Sequence, residues 1–345
     1  MPDLTFNSGT FSLREHESVL DCLLRNQQII PYACKAGMCQ ACLVKAVDCE
    51  APENAKKWIK QTLQARGYAL ACQWVPDTDV EVSLPSVEEF AVAVRIKSLD
   101  LLNHRVMRLV LDVREGDRMF QYYPGQYLTL TNQDGISRSY SIANNYEQDH
   151  VIELHIGQTP RGLFSSWLFT KARPGDVLHI RGPAGDCFYT QQEQDDYPIV
   201  LAGTGTGLAP LYGIIHEALR QRHQGPISLF HGGRTVQDLY YCAELSKLAE
   251  QYPQFHYFPS CLDAADSIPD ELSGKLETGM LDAVLDRHLD TATIAQTRVF
   301  LCGAPELVHA LRKKIFLKGA KSGHIFCDPF LERSIPGSIP EQVGR

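Results

Sequence analysis

Four cysteines constrain this chain more than any other feature. Cys34, Cys39 and Cys42 stand as C-x4-C-x2-C in YACKAGMCQAC, and Cys72 follows in ALACQW after 29 intervening residues. Three thiolates from one tight loop and a fourth from further along the chain suit a small, electron-rich centre, and this spacing is that of a [2Fe–2S] cluster. Gly37 and the small Ala33, Ala36 and Ala41 let backbone N–H groups approach the sulfurs, which tunes the potential of such a centre. Structural zinc is the rival reading, although zinc more often uses paired C-x2-C knuckles. Cys22 and Cys49 lie outside the pattern and read as buried or surface thiols.

Six of the 11 cysteines precede residue 73 in a chain of 345, so the cysteine-rich part is one segment of something larger. That length implies two or three domains. A hydrophobic fraction of 44% and a charged fraction of 21% suit packed cores. The net charge of −8 lacks the basic footprint of non-specific nucleic-acid binding. No run of about 18 apolar residues occurs, so no membrane span is expected. The first 20 residues lack the basic patch and apolar core of a signal peptide. An odd number of cysteines, too sparse for a disulfide scaffold, points to free thiols or metal ligation in a reducing, cytoplasmic setting.

Three patterns follow one another. Residues 4–7 and 10–13 read as strands about a turn at Gly9, Ser18 as the N-cap of a helix to about Asn26, and 80–85 as an alternating strand. From 88 to 193 short strands recur at 91–99, 104–113, 127–131, 138–144, 151–156 and 176–182. Gly/Pro turns separate them, and 162–170 is the one helix-like piece. That is the pattern of an antiparallel barrel. From 195 to 330 strands at 198–203, 227–233, 255–260 and 298–303 alternate with helices at 208–222, 239–251 and 306–319, as in a parallel sheet covered by helices. Residues 331–345 show no periodicity and read as a fraying tail.

Further motifs sit at places where ligands bind. Arg138, Ser139, Tyr140 and Ser141 form RSYS on a barrel strand. Gly162, Leu163, Phe164 and Ser165 open the barrel's helix, a natural phosphate site, although an N-cap role for Ser165 would also explain them. Gly203, Thr204, Gly205, Thr206 and Gly207 lead through Leu208 and Ala209 to Pro210, a glycine loop after a strand and before a helix. It is not G-x-G-x-x-G, and the next strand ends in His231-Gly232-Gly233-Arg234 with no acidic residue, so the standard dinucleotide fingerprint is not met. Cys302, Gly303, Ala304 and Pro305 end a later strand in the ligand-facing position of a parallel sheet. There is no H-E-x-x-H and no G-x-S-x-G, so neither a metalloprotease nor a hydrolase is supported. Arg312, Lys313, Lys314, Lys318 and Lys321 read as a solvated helix face.

Residues 1–85 resemble a plant-type ferredoxin domain, with a departure at Gln40, where Gly is frequent. RSYS, GLFS, GTGTGLAP and CGAP in this order resemble the ferredoxin–NADP reductase superfamily over roughly 90–330. Together the chain resembles the three-module reductases of multicomponent bacterial oxygenases, of the benzoate dioxygenase or methane and phenol hydroxylase type. The phthalate dioxygenase type puts its ferredoxin last and uses FMN. The resemblance therefore implies an α+β β-grasp ferredoxin domain at 1–86, an antiparallel β-barrel FAD domain at 88–193 and an α/β nicotinamide domain at 195–330. It implies Cys34, Cys39, Cys42 and Cys72 as cluster ligands. Arg138 and Ser139 would lie at the flavin, with Arg138 pairing its phosphate, Tyr140 flanking its ring and Ser141 near its N5. Residues 162–165 would hold the pyrophosphate. The loop from Gly203 to Pro210 would cradle the nicotinamide nucleotide, and Cys302, with Gly303 and Pro305, would lie near the nicotinamide. Ser141 and Cys302 are then the residues nearest the reacting atoms. Phe330 would shield the flavin, although about 15 residues follow it here. Arg234 could reach a 2′-phosphate as in NADP sites, but 235–238 add no second cation, which leans the choice to NADH.

The implied activity is electron splitting: NAD(P)H to FAD, then single electrons through the cluster to a protein acceptor, an oxygenase or hydroxylase component. A monomer is expected, with neither nucleic acid nor membrane as partner. The reductase of a deoxysugar dehydrase shares the module order. The sodium-pumping NADH:quinone reductase subunit is disfavoured by the lack of an anchoring helix. A redox-sensing iron–sulfur flavoprotein is the rival from another class.

Overall fold

The alternation of apolar residues in Leu4, Phe6, Val80 and Val82 puts one face of two strands into a core, and the first sheet is built around them. The structure is a computed structural model; it describes residues 2–330 except 33–34, 38–39, 48, 60, 65, 86–91, 114–121, 146–150, 191–195 and 264–266. The chain divides into two compact units, residues 1–91 and 92–345. The sequence-expected boundaries at 86–88 and 193–195, like the tail at 331–345, fall mostly outside the described residues.

In the first unit β1 (Asp3–Phe6) and β2 (Gly9–Ser12) form an antiparallel hairpin. Its turn is Asn7-Ser8, not Gly9: both have positive φ, 48° and 66°, as a two-residue hairpin turn of the mirror-image type requires. Gly9 already pairs in β2. Helix Val19–Arg25 starts where expected, with the Ser18 hydroxyl accepting the Asp21 N–H, and buries Val19, Leu20, Cys22 and Leu23. β3 (Leu43–Ala46), β4 (Tyr68–Leu70) and β5 (Val80–Ser83) complete a mixed sheet of order β2-β1-β5-β3-β4, in which β1 and β5 run parallel. Two single-turn helices, Glu53–Lys56 and Gln61–Gln64, lie between β3 and β4. A sheet wrapped on one helix in this order is the α+β grasp fold.

The second unit holds two sheets. β6 (Val92–Leu101), β7 (Val106–Asp112), β8 (Tyr127–Thr131), β9 (Ser137–Ser141), β10 (Val151–Gly157) and β11 (Val177–Ala184) pair antiparallel in the order β10-β7-β6-β11-β8-β9. The ends meet through the Ile142–Leu154 bridge and the Ala143 N–H to Glu153 carbonyl bond of 2.9 Å, so the sheet closes as a barrel. Helix Leu163–Thr170 buries Phe164 and Leu168 in the barrel core.

β12 (Ile199–Thr204), β13 (Ile227–Gly233), β14 (Phe255–Cys261), β15 (Glu277–Thr278), β16 (Arg298–Gly303) and β17 (Ile325–Pro329) pair parallel in the order β15-β14-β13-β12-β16-β17. Helices Leu208–Arg220 and Cys242–Gln251 bury residues against one face, and Leu281–His288 and Pro305–Leu317 against the other. The chain winds from β12 outward to β15 and then returns to the far side of β12. The C-terminal ends of β12 and β16 therefore lie at a topological switch point, where ligands of open α/β sheets bind. Helix 239–251 of the sequence reading starts only at Cys242, because Tyr241 takes a left-handed conformation (φ 56°). β15, Leu281–His288 and β17 were not expected.

Candidate functional site

In the ferredoxin-like unit Cys34 and Cys39 lie outside the described residues, while Cys42 and Cys72 are placed. They stand at the same end of the β3–β4 ladder: Leu43 pairs with Leu70, and the Ala71 N–H donates to the Cys42 carbonyl at 3.0 Å. The Gln73 side-chain amide lies 3.6 Å from Cys72 Sγ and also reaches the Lys35 carbonyl at 3.4 Å, tying the cysteine loop to the distant ligand. Gly37 has φ +82°, and a Cβ there would sit 3.1 Å from the Gln73 side chain and 3.2 Å from Trp58. Gln40 is itself left-handed (φ 56°), which explains why glycine suits that position; its amide donates to the Trp58 carbonyl at 2.8 Å. Two cysteines brought to the same end of one ladder, one of them beside a side-chain amide donor, fit a thiolate-bound cluster. Cys22 is in the core, its thiol pushed up by burial.

On the barrel, β9 and the start of helix Leu163–Thr170 come together. The Tyr140 and Phe164 rings are 5.5 Å apart, and burial pushes the Tyr140 hydroxyl up. Arg138 is half-buried and donates to the Ser137 carbonyl, and Ser139 shares a hydrogen bond with Thr129 across the ladder. Gly162, not Ser165, is the N-cap. The Ser165 hydroxyl instead turns back to accept the Thr159 N–H at 3.2 Å, and a Cβ on Gly162 would lie 2.6 Å from it. Leu163 is exposed.

The glycine loop after β12 divides into two kinds of position. A Cβ on Gly203 or Gly207 would meet the Cys302 carbonyl at 2.9 or 2.4 Å, so both are demanded by strand packing. Gly205 has φ +53° and open space around it; a side chain there would fill the room that a ligand's phosphates could use. Thr206 faces Gly157 at the end of β10, and Pro210 is buried in the first turn of the following helix. Pro305 likewise opens its helix.

Cys302 pairs with Gly203 and with Asp328 along the strands, but its thiol is wholly buried, 3.5 Å from Cys187 Sγ. Burial holds it well above the ordinary thiol range, so it is a neutral thiol. Gly303 (φ +124°) accepts the Phe330 N–H at 2.8 Å, which brings the half-buried Phe330 to the end of β16. Arg234 stands apart. It is 83% exposed, with the Asp263 carboxylate 3.9 Å away.

The residue that sequence reasoning missed is Asp328. The Ser141 hydroxyl donates to its Oδ2 at 2.7 Å, a bond between the barrel strand β9 and the last strand of the parallel sheet. Burial pushes the Asp328 carboxyl up, against the opposing bond from Ser141. The bond ties β9 to β17 at this corner. Only the β16–β17 register brings Asp328 beside Cys302.

Known proteins match the whole of this arrangement. Residues 6–77 match the 2Fe-2S iron-sulfur cluster binding domain, 93–189 the oxidoreductase FAD-binding domain and 201–313 the oxidoreductase NAD-binding domain. The reductase subunit of an aromatic O-demethylase from Amycolatopsis is 31% identical, over 85% of this chain and 88% of its own. The ferredoxin–NAD(P)+ reductase component of the naphthalene 1,2-dioxygenase system of Pseudomonas putida is 28% identical over 93% and 94%. The crystal structure of the Amycolatopsis reductase GcoB superposes with a TM-score of 0.65 at 26% identity, covering 96% of this chain and 99% of that one. The family models make the cysteine site a [2Fe–2S] centre rather than zinc, the barrel an FAD domain and the parallel sheet a domain for NAD(P)H. No helix among the described residues is long and apolar enough to cross a membrane. This chain is an NAD(P)H-dependent oxidoreductase and belongs to the three-module ferredoxin reductases of the ferredoxin–NADP reductase superfamily, the reductase components of oxygenase systems.

Proposed function

We propose that this chain takes hydride from NADH and delivers single electrons to an oxygenase or hydroxylase component, acting as a cytoplasmic monomer with modules at 1–86, 88–193 and 195–330 and a tail at 331–345. The observation that carries the reading is the Ser141–Asp328 bond, which puts a barrel strand against the ligand-facing edge of the parallel sheet. FAD, when bound by these residues, would supply the chemistry that turns a hydride's electron pair into single electrons for the cluster.

The chain's own residues bind and orient. Arg138 supplies a cation for the flavin phosphate, and Tyr140 with Phe164 an apolar wall for its ring. The start of helix Leu163–Thr170 supplies N–H groups to the pyrophosphate, and Gly205 leaves space for the nucleotide's phosphates. Ser141 and Asp328 bond to each other where the two sheets meet, and the raised carboxyl of Asp328 takes up a proton more readily than a free one. Cys302, a neutral thiol, shapes that corner and is not a nucleophile. Cys34, Cys39, Cys42 and Cys72 hold the cluster. NADH is favoured over NADPH because Arg234 is a single exposed cation facing a carboxylate, and a 2′-phosphate there would meet Asp263 as well. The oxygenase-system names of the relatives support the acceptor class.

Turnover with a one-electron protein acceptor, cytochrome c, tests the reading. Cys72→Ser is expected to lose the cluster absorbance and most cytochrome c reduction while keeping NADH-driven reduction of ferricyanide at the flavin. Equal cytochrome c rates in wild type and variant would contradict the route through the cluster, and faster turnover with NADPH would contradict the nucleotide choice.

A further inference from the structure

The segment between β13 and helix Cys242–Gln251 joins the two sheets a second time, away from Ser141 and Asp328. It opens at Arg234 and tightens at once: Asp238 Oδ2 accepts the Thr235 N–H at 2.9 Å. Asn103, in the turn before β7, donates to the Asp238 carbonyl at 2.9 Å while its own side-chain oxygen accepts the Val106 N–H. The chain then reaches Tyr240 and Tyr241, which both point into the barrel's outer wall.

That wall is β10. Its Ile152, Leu154 and Ile156 fill the barrel core, so the alternate residues Glu153 and His155 face the other way, yet both are buried. The Tyr241 hydroxyl donates to Glu153 Oε1 at 3.0 Å, and His155 Nε2 lies 3.0 Å from the same oxygen. Arg108 of β7 pairs with the other carboxylate oxygen. The Tyr240 hydroxyl lies 3.1 Å from His155 Nδ1. With a neutral His155 ring, one arrangement of protons satisfies all of these. Burial holds His155 neutral below its ordinary value, its Nε2–H donates to Glu153, and its Nδ1 accepts from Tyr240. Tyr241 achieves its contact at the expense of its backbone: φ is 56°, a left-handed conformation that strains a side-chain-bearing residue. Such strain persists where the surroundings over-determine it, and it concentrates at functional sites.

We propose that Tyr240 and Tyr241 are positioning residues for hydride transfer. Anchored on Glu153 and His155, they fix the nucleotide-binding strand ends at one spacing from the flavin barrel. The inference rests on the reading that hydride passes from a nucleotide on the parallel sheet to a flavin on the barrel. It adds that the alignment is held by a buried clasp that starts at Arg234 and ends in the barrel wall.

The test uses the holoenzyme and Tyr241→Phe, which keeps the ring against Tyr212, 4.7 Å away. Flavin bleaching is followed after rapid mixing with saturating NADH, NAD+ affinity by calorimetry, and hydrogen exchange over 236–241 by mass spectrometry. Loss of one hydrogen bond to a charged group should slow the first-order bleaching about tenfold, with NAD+ affinity changed less than twofold and exchange over 236–241 faster. Tyr240→Phe, which loses a bond to the neutral His155, should act in the same direction by several-fold, and serves if the first variant folds poorly. Bleaching within twofold of wild type, with exchange clearly faster, overturns the proposal: the clasp is then loosened without kinetic consequence. Unchanged exchange overturns it too. A wild-type protein that NADH does not bleach contradicts the parent reading instead, while the exchange comparison still decides whether the clasp exists.

Discussion

Two carboxylates, Glu153 buried and Asp328 half-buried, tie the barrel to the parallel sheet, and they are held in opposite ways. Burial pushes the Glu153 carboxyl up, but hydrogen bonds from His155 and Arg108 outweigh it, and the group sits at about 2. Asp328 accepts from the Ser141 hydroxyl, no ion pair to it occurs among the described residues, and burial leaves its carboxyl raised. The first is a saturated clamp whose charge is fixed. The second lacks such a clamp: at the corner where β9 meets β17 burial favours the protonated carboxyl more than it would in a free side chain. A buried carboxylate's chemistry follows from the number and charge of its donors, not from burial alone.

Glu153→Gln should break the clamp most severely. It leaves the Arg108 guanidinium without its main counter-charge and is expected to cost about 2–3 kcal/mol in denaturant unfolding. The low end applies because Arg108 is about a third exposed and keeps Asp100 at 3.6 Å. A loss under about 0.5 kcal/mol, the level of ordinary surface substitutions, would show that the pair is not the clamp described. Ser141→Ala should cost less, about 1–2 kcal/mol for an unpartnered buried carboxyl, and should slow flavin bleaching. If bleaching is unchanged, the pair plays no part in proton handling.

The pH dependence should have opposite signs. Glu153 is lowered from 4.5, so its stabilisation is full above 4.5 and is lost as pH falls towards 2. Asp328 is raised above 3.8, so its contribution is full below 3.8 and is lost as pH rises through the folded value. Unfolding curves of Glu153→Gln and wild type should therefore converge as the medium is acidified. Asp328→Asn should gain on wild type as pH rises from 3.8. Parallel offsets at every pH would remove the contrast. The smallest effect concerns the adjoining loop. Gly205→Ala has room for its methyl, so only the left-handed backbone opposes it, by about 1 kcal/mol, and NAD+ binding should weaken about tenfold. Binding that is unchanged would mean the opening at Gly205 faces no ligand.

Much of this was legible in the chain, and for local reasons. The cysteine spacing names its chemistry within nine residues, and YLTLT alternates into a strand with the expected limits. What escaped was either short or long-range. β3, β4 and β15 are two to four residues long, too few for a period to show. Helix 239–251 was read through Tyr240 and Tyr241 as part of the run LYYCAELSKLAEQ in an alternating strand–helix pattern, whereas their tertiary bonds to Glu153 and His155 override it. VIELHI reads as a barrel strand with polar residues outward; nothing local reveals that a second sheet buries that outward face. Asp328 depends on the pairing of Cys302 with a strand formed some 25 residues later, and the glycines of 203–207 look alike until Cys302 is seen to demand two of them. The sequence therefore marked the ligand-facing loops well and the sheet-to-sheet contacts poorly.

The central claim is that one chain carries electrons from NADH through its flavin to its cluster. An anaerobic titration with NADH, read in the visible spectrum, tests it most directly. The account predicts that flavin and cluster absorption both bleach, taking up about three electrons per chain, two at the flavin and one at the cluster. Bleaching of the flavin with the cluster left oxidised, or a purified protein with no flavin at all, would contradict it.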